Sequence, residues 1–321
     1  MTQSGSRPYV WMLSGTFSFT LMVELAFELT QVSRSCDWQT VAVARSSLVA
    51  LFAGLMAWAA GARLVFLRPA RLWVRSIAGS CSMVCTFYSF GHLPAVDVVT
   101  LTNTFPIWVA VLSWPIYGKP PGWRMGIAVL VGVAGVALVE QPQFEAGNLG
   151  VVTALFAALF SAVAMLGLHS LRGVDPRAIV VHFSVVAMAF CFAAFFAFPR
   201  SVDIGRIVEP LTLAKLLILG ISATIGQILL TLAFGSGAPA KVSVVGLMQI
   251  VIALGFDIWL WHRQVNAATF IGTALVIAPT AWLLTRPAAI DRHDPDPGEP
   301  EPIPMPMDRS LVGKDCEVKP R

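Results

Sequence analysis

Long apolar runs recur along this chain, at roughly 9–31, 41–60, 74–92, 95–117, 123–140, 149–171, 178–198, 211–233, 240–261 and 267–285. An aqueous core has no use for ten such segments, whereas the hydrocarbon layer of a bilayer, about 30 Å thick, needs about 20 apolar residues from every helix that crosses it. The backbone narrows the choice further. An unpaired amide in lipid costs several kcal/mol, so each run must close its hydrogen bonds internally, and runs of this length do not alternate as barrel strands do. The chain reads as an all-α, polytopic integral membrane protein of ten transmembrane helices, with connections too short to hold a soluble domain. Its first partner is therefore the lipid bilayer, and soluble enzymes and nucleic-acid binders fall away.

Charge is sparse and uneven. Of 321 residues 56% are hydrophobic and 12% charged, and 14 of the 40 charged side chains lie at or beyond Arg286. Residues 286–321 are rich in Pro and acid (HDPDPGEPEPIPMPMD) and have too little apolar surface to repay chain ordering, so a disordered cytoplasmic tail is expected there. The remaining Lys and Arg are scattered singly and serve as topology markers. With residues 1–8 inside, eleven fall on the cytoplasmic side (Arg7, Arg63, Arg68, Arg71, Arg75, Lys119, Arg124, Arg172, Arg177, Lys241, Arg286) and six opposite (Arg34, Arg45, Arg200, Arg206, Lys215, Arg263). Both termini are expected in the cytoplasm. The five cysteines show no metal or redox spacing, and the first apolar run, without a small-residue cleavage site, reads as a retained helix rather than a signal peptide.

Sliding the chain on itself by 145 positions aligns Ala78 with Ala223, Thr86 with Thr231, Pro94 with Pro239, Ala95 with Ala240, Val99 with Val244, Ile107 with Ile252 and Trp114 with Trp259. Each half then holds five spans, with boundaries at 9–140 and 149–285. An odd number of spans inverts the second copy in the membrane, the plan of many secondary transporters, whose substrate site lies near the midplane between the repeats.

The stretch GHLPAVDVVTLTNTFPIWVAVLSWPIYGK with WRMGIAVLVGVAGVALV, and its counterpart TIGQILLTLAFGSGAPAKVSVVGLMQIVIALGFDIWLW with FIGTALVIAPTAWLL, resemble the EamA-like members of the drug/metabolite transporter superfamily. Arg45-Ser46 at the start of the second span fits the same pattern. The resemblance covers residues 9–285 and implies a carrier of a small-molecule solute, efflux, and a bacterial inner membrane. Two departures stand out. Lys119 and Gln264 occupy places where the family usually has an acid after the fourth and ninth helices, and Phe27 stands where similar proteins often carry a Lys late in the first helix.

Selectivity must come from the few polar residues inside the membrane. Glu24 and Glu28 share a helix face, and a charge at mid-bilayer costs about 2.5–3.5 kcal/mol on insertion scales, which makes an intramembrane carboxylate a candidate for substrate binding or proton coupling. Glu28, near the outer interface, could equally be solvated or paired with Arg34. His169, opposite Glu24 in the repeat, can titrate near neutrality, but an interfacial hydrogen-bonded histidine would explain it as well. Tyr88, Asn103, Thr104, Gln227 and Gln249 offer donors and acceptors without charge; by the repeat, Thr104 matches Gln249 and Ser82 matches Gln227. Interhelical hydrogen bonding is the competing explanation for each. Pro106 is expected to kink the fourth span and Trp108 to wall the site. Asp97 and Asp257 are expected at solvated helix ends, and Ala128, Gly132 and Gly135 to form a small-residue face for close packing or a homodimer. Spans one, three, four, six, eight and nine are expected to line the cavity.

No HExxH, Walker A loop, metal cluster or GxSxG elbow is present in the sequence, so no cofactor is expected and transport would draw on gradients, with protons as a possible coupling ion. A receptor or channel is the alternative class, and an intramembrane enzyme a more distant one.

Overall fold

The apolar runs fold as helices whose backbone groups are satisfied internally. The computed structural model describes residues 6–285 except 68, 94, 119–121, 142–148, 172, 199–203 and 262–263; the acidic tail, Pro94 and Lys119 lie outside that set. Helix α1 (Arg7–Phe27) continues into a π-helical turn (Glu28–Val32) and is followed by α2 (Trp38–Ala59) and α3 (Ala70–Phe90). The fourth span is split into α4 (Ala95–Thr102) and α5 (Phe105–Tyr117), and α6 (Trp123–Glu140) completes the first half. The second half holds α7 (Leu149–His169), α8 (Pro176–Ala197), the single turn α9 (Ile204–Ile207), α10 (Pro210–Ser236), a split pair α11 (Pro239–Gly246) and α12 (Met248–Trp261), and α13 (Ala267–Thr285).

Nine helical units among the described residues are long and apolar enough to cross a membrane. The remaining expected span, α3, has the length at 21 residues but carries Arg71, Arg75 and a series of hydroxyls. It lies along α7 and α8. The Ser82 hydroxyl contacts the Ser161 hydroxyl at 2.7 Å and donates to the Ala157 carbonyl at 2.9 Å, while Ser89 reaches Thr153 at 2.8 Å and the Gly150 carbonyl at 3.1 Å. Its polar face is thus spent on protein, not lipid. Large apolar side chains point outward instead, with Trp58 82%, Phe196 77% and Trp259 73% exposed, a surface suited to acyl chains and unsuited to water.

The main helix contacts recur when the halves are exchanged. Helix α1 lies on α10 as its repeat equivalent α7 lies on α3, α10 meets α2 as α3 meets α8, and the equivalent pairs α2–α8 and α6–α13 pack on each other. The breaks agree as well. The first falls at Asn103–Thr104 and the second at Leu247, within two residues of the 145-residue offset. At the first break, Asn103 Nδ2 donates to the Val99 carbonyl at 2.8 Å and Thr104 Oγ1 to the Leu101 carbonyl at 2.6 Å, each a second bond to a carbonyl that also accepts the backbone N–H of the same residue. Pro106 lies in the first turn of α5, where its missing N–H has no helical partner to lose. It starts a half-helix rather than kinking a continuous one.

The small-residue face of α6 is filled within the chain. A Cβ on Gly135 would lie 2.7 Å from the Gly272 carbonyl, one on Gly272 2.6 Å from the Gly135 carbonyl, and one on Gly132 2.6 Å from Leu247. Close packing of α6 on α13 accounts for these glycines without a second copy. Gly135→Val should separate the two helices and lower stability by about 1–3 kcal/mol, the usual range for overpacking; thermal unfolding in detergent would show it, and an unchanged midpoint would contradict this packing.

Candidate functional site

The polar face of α3 repeats at helical spacing: Arg75, Gly79, Ser82, Met83 and Thr86 fall at intervals of three or four. That stripe forms one wall of a cavity of about 190 Å³. The rest of the lining comes from Phe19, Met22 and Ala26 of α1, Arg45 of α2, Ser161 and Met165 of α7, Phe183 of α8, and Gln227 and Leu230 of α10. The lining helices are α1, α2 and α3 with their repeat equivalents α7, α8 and α10. This corrects the expected set, because α2 and α8 contribute and the broken spans α4/α5 and α11/α12 do not.

Two guanidinium groups lie in this apolar setting. Arg75 is 1% exposed; its carbon Cζ sits 4.3 Å from the centre of the Phe183 ring, and its Nε and Nη1 have no hydrogen-bond partner. Gly79 makes the position possible, since a Cβ there would meet Arg75 Nη1 and come within 2.8 Å of the Phe183 ring. Arg45 is 8% exposed and donates only to sulfur, from Nε to Met22 at 3.1 Å and from Nη1 to Met83. Both arginines were expected at the membrane faces, Arg75 inside and Arg45 outside. The structure buries both inside the helix bundle, and removing one from each side leaves the charge bias unchanged in direction. Their role was hidden because Arg75 closes a basic run with Arg63, Arg68 and Arg71, which reads as a loop. The polar stripe from Arg75 to Thr86 was the available signal.

Of the polar candidates, Gln227 lines this cavity, 4% exposed and with Nε2 lacking a partner, and Ser82, its repeat equivalent, lines it too. Thr104 and Gln249 do not line it; Thr104 is satisfied at the helix break, and the Gln249 carbonyl is 3.5 Å from Thr20 Oγ1. Trp108 packs with Val109, Ala162 and Leu166 between α5 and α7. Tyr88 belongs to an aromatic group near the start of α2, stacked on His92 at 4.0 Å and edge-on to Trp38 at 5.9 Å. His169 Nδ1 donates to the Phe234 carbonyl at 3.2 Å and ties α7 to α10. His182 is buried between Ser76 Oγ at 2.7 Å and the Phe66 carbonyl at 3.1 Å. The carbonyl can only accept, so Nε2 carries the proton and Nδ1 accepts from Ser76.

Glu24 is half-buried on α1 and outside the cavity lining. Glu28 starts the π-helical turn and pairs with Lys215 of α10 at 2.6 Å, not with Arg34. Asp97, expected at a solvated helix end, is 3% exposed. Among the described residues no group of three metal-ligating side chains comes together.

Ten expected spans as two exchangeable halves around a membrane-embedded cavity define a polytopic α-helical membrane protein with internal repeats. The EamA-like transporter family matches residues 7–140 and again 148–285, and the chain belongs to that family. The pseudopaline exporter CntI of Pseudomonas aeruginosa strain UCBPP-PA14 is 26% identical over 267 residues, covering 82% of this chain and 90% of its own. An uncharacterized transporter of Helicobacter pylori strain J99 is 25% identical over 68% of this chain and 74% of its own. A crystal structure at 16% identity superposes with a TM-score of 0.69 over 84% of this chain and 96% of its own, a likeness of fold alone. The chain is a multi-pass membrane transporter.

The Glu28–Lys215 pair is partly open to solvent, at 22% and 23% side-chain exposure, and such pairs contribute about 0–1 kcal/mol. A double-mutant cycle of Glu28→Gln with Lys215→Met, read by thermal unfolding, should give a coupling energy below about 1 kcal/mol. Glu28 Oε2 is itself buried, so a coupling of several kcal/mol would mean that the pair behaves as a buried ion pair and would contradict its assignment as a weak one.

Proposed function

We propose that the protein is a secondary-active transporter that exports a small organic metabolite or drug-like solute by alternating access. The observation that carries this reading is the cavity shared by three helices of each half, α1–α3 and α7, α8 and α10, at the place where inverted-repeat carriers hold their solute. Repeats at 9–140 and 149–285 would rock against each other about that cavity, with the half-helices at Asn103–Thr104 and Leu247 as the points where the fourth and ninth spans bend. Export is supported by the family and by a relative named as a pseudopaline exporter. The excess of Lys and Arg in alternate loops supports an inner-membrane orientation with both termini in the cytoplasm. Glu24 and Glu28 on α1, the latter paired with Lys215, are the candidate carboxylates for proton coupling, and Gln227 offers the unpartnered Nε2 of its amide to the solute.

Counterflow in proteoliposomes tests the proposal. A carrier loaded with unlabelled solute accumulates labelled solute transiently from outside, whereas a channel conducts without this trans-stimulation. Trans-stimulated exchange is expected; conductance alone, or no flux with any solute that the purified protein binds, would contradict it. If Glu24 couples protons, Glu24→Gln should abolish the acceleration of exchange by a pH gradient, and an unchanged rate and pH profile would remove Glu24 from the mechanism.

A further inference from the structure

We propose that the solute is a small organic anion, held by its acidic group on Arg75 and Arg45 with its apolar body against the phenylalanines and methionines of the cavity. The inference rests on the transport reading above and names the chemistry of its substrate.

Charge decides the class of solute. Among the described residues two guanidinium groups line the cavity and no carboxylate does; the ion pair found among them, Glu28–Lys215, lies elsewhere. A buried charge is normally paired or hydrogen-bonded, because its desolvation is otherwise uncompensated. Arg75 instead has Nε and Nη1 unpartnered at 1% exposure, and the ring of Phe183 covers only one face of its fork. Arg45 finds two thioether sulfurs, which are weak acceptors. An arginine fork matches a carboxylate or another planar oxyanion with two parallel hydrogen bonds, so an anion supplies what the protein withholds. A cationic or zwitterionic solute would bring an ammonium group into a cavity whose described lining holds no carboxylate to meet it.

Shape and polarity limit the rest. Phe19, Phe87, Phe183, Met22, Met83 and Met165 give the cavity its apolar walls, and Ser82, Ser161 and the unpartnered Gln227 amide give neutral hydrogen bonds. At about 190 Å³ the space suits a single ring or a short chain bearing one acid. The two cations also differ in depth. Arg45 is the eighth residue of α2 and Arg75 the sixth of α3, about 11 and about 8 Å from the starts of helices that run in opposite directions. Each therefore lies nearer a different membrane face, which allows the anion to be met from one side and released toward the other.

The test uses the full chain in detergent with benzoate, benzamide and benzylamine, three probes of one shape and different charge. Benzoate should raise the unfolding temperature in a saturable way while benzamide and benzylamine leave it unchanged. Arg75→Gln should weaken benzoate binding by about tenfold to a hundredfold and Arg45→Gln by a smaller factor. Stabilisation by benzamide or benzylamine equal to that by benzoate would overturn the proposal, as would benzoate stabilisation that survives the double variant. Without probe, Arg75→Gln should unfold at or above the temperature of the unaltered protein, since no hydrogen bond from Nε or Nη1 is lost; a large fall, or failure to fold, would make Arg75 a structural anchor and overturn its assignment to the solute. Counterflow separates the two readings. Exchange that prefers benzylamine retains transport and removes the anion, whereas benzoate binding without exchange retains the site and removes transport.

Discussion

The hydroxyl seam between α3 and α7 is the interaction on which the rest of the structure depends. Helix α3 carries two arginines and a row of serines, a composition that would be expelled from lipid if it faced it. Ser82 with Ser161 and Ser89 with Thr153 close at 2.7 and 2.8 Å, and Gly167 of α7 lets the helices approach near Arg75, where a Cβ would lie 3.2 Å from the Arg75 Cβ. Each such bond is modest, about 0.6 kcal/mol on average in membrane helices. Together they hold a polar helix in the interior, and that placement puts Arg75 at the wall of the cavity rather than in a loop.

The architecture is symmetric while the chemistry is not. Exchange of the halves maps α3–α7 onto α10–α1, yet the second contact is built from small residues and apolar side chains, with Gly15 against Leu229 and Gly226 against Phe19. Both cavity arginines come from the first half, and the second half lines the cavity without a charge, through the Ser161 hydroxyl, the Gln227 amide and apolar side chains. A symmetric frame gives two equivalent ways to close the cavity, and an asymmetric lining gives the solute an orientation within it. The split spans serve the frame: Asn103 and Thr104 bond to their own preceding turn, so they stabilise the break and leave the solute to other residues.

Most of the fold was legible in the sequence because the bilayer imposes a length and a backbone rule that hydrophobic runs report directly. The five-plus-five organisation was legible too, since the offset that aligns Thr86 with Thr231 also aligns the two helix breaks. The site was less so. Tyr88, chosen by depth, and Thr104 and Gln249, chosen by depth and by the repeat, do not line the cavity: Tyr88 stacks among aromatic neighbours and Thr104 bonds to backbone. Depth does not say which helix face meets the cavity. Gln227 was found by depth and by its repeat partner Ser82, both of which face it. Arg45 and Arg75 were read as loop markers because the positive-inside rule treats basic residues near helix ends alike. A buried guanidinium can be told from a topology signal by the next two or three turns of its own helix, and beyond Arg75 the residues Gly79, Ser82, Met83 and Thr86 trace one face.

Alternating access requires this cavity to open to either side of the membrane in turn. Thr86 lines the cavity, and its hydroxyl donates within its own helix to the Ser82 carbonyl. Replacing the native cysteines and introducing Thr86→Cys gives a single thiol on the cavity wall, and membrane-impermeant thiol reagents can then be applied to right-side-out and inside-out vesicles. A carrier of this kind should be labelled from both sides, with labelling from each side reduced when solute holds the protein in one state. Labelling from one side only, under every condition, would contradict alternating access through this cavity.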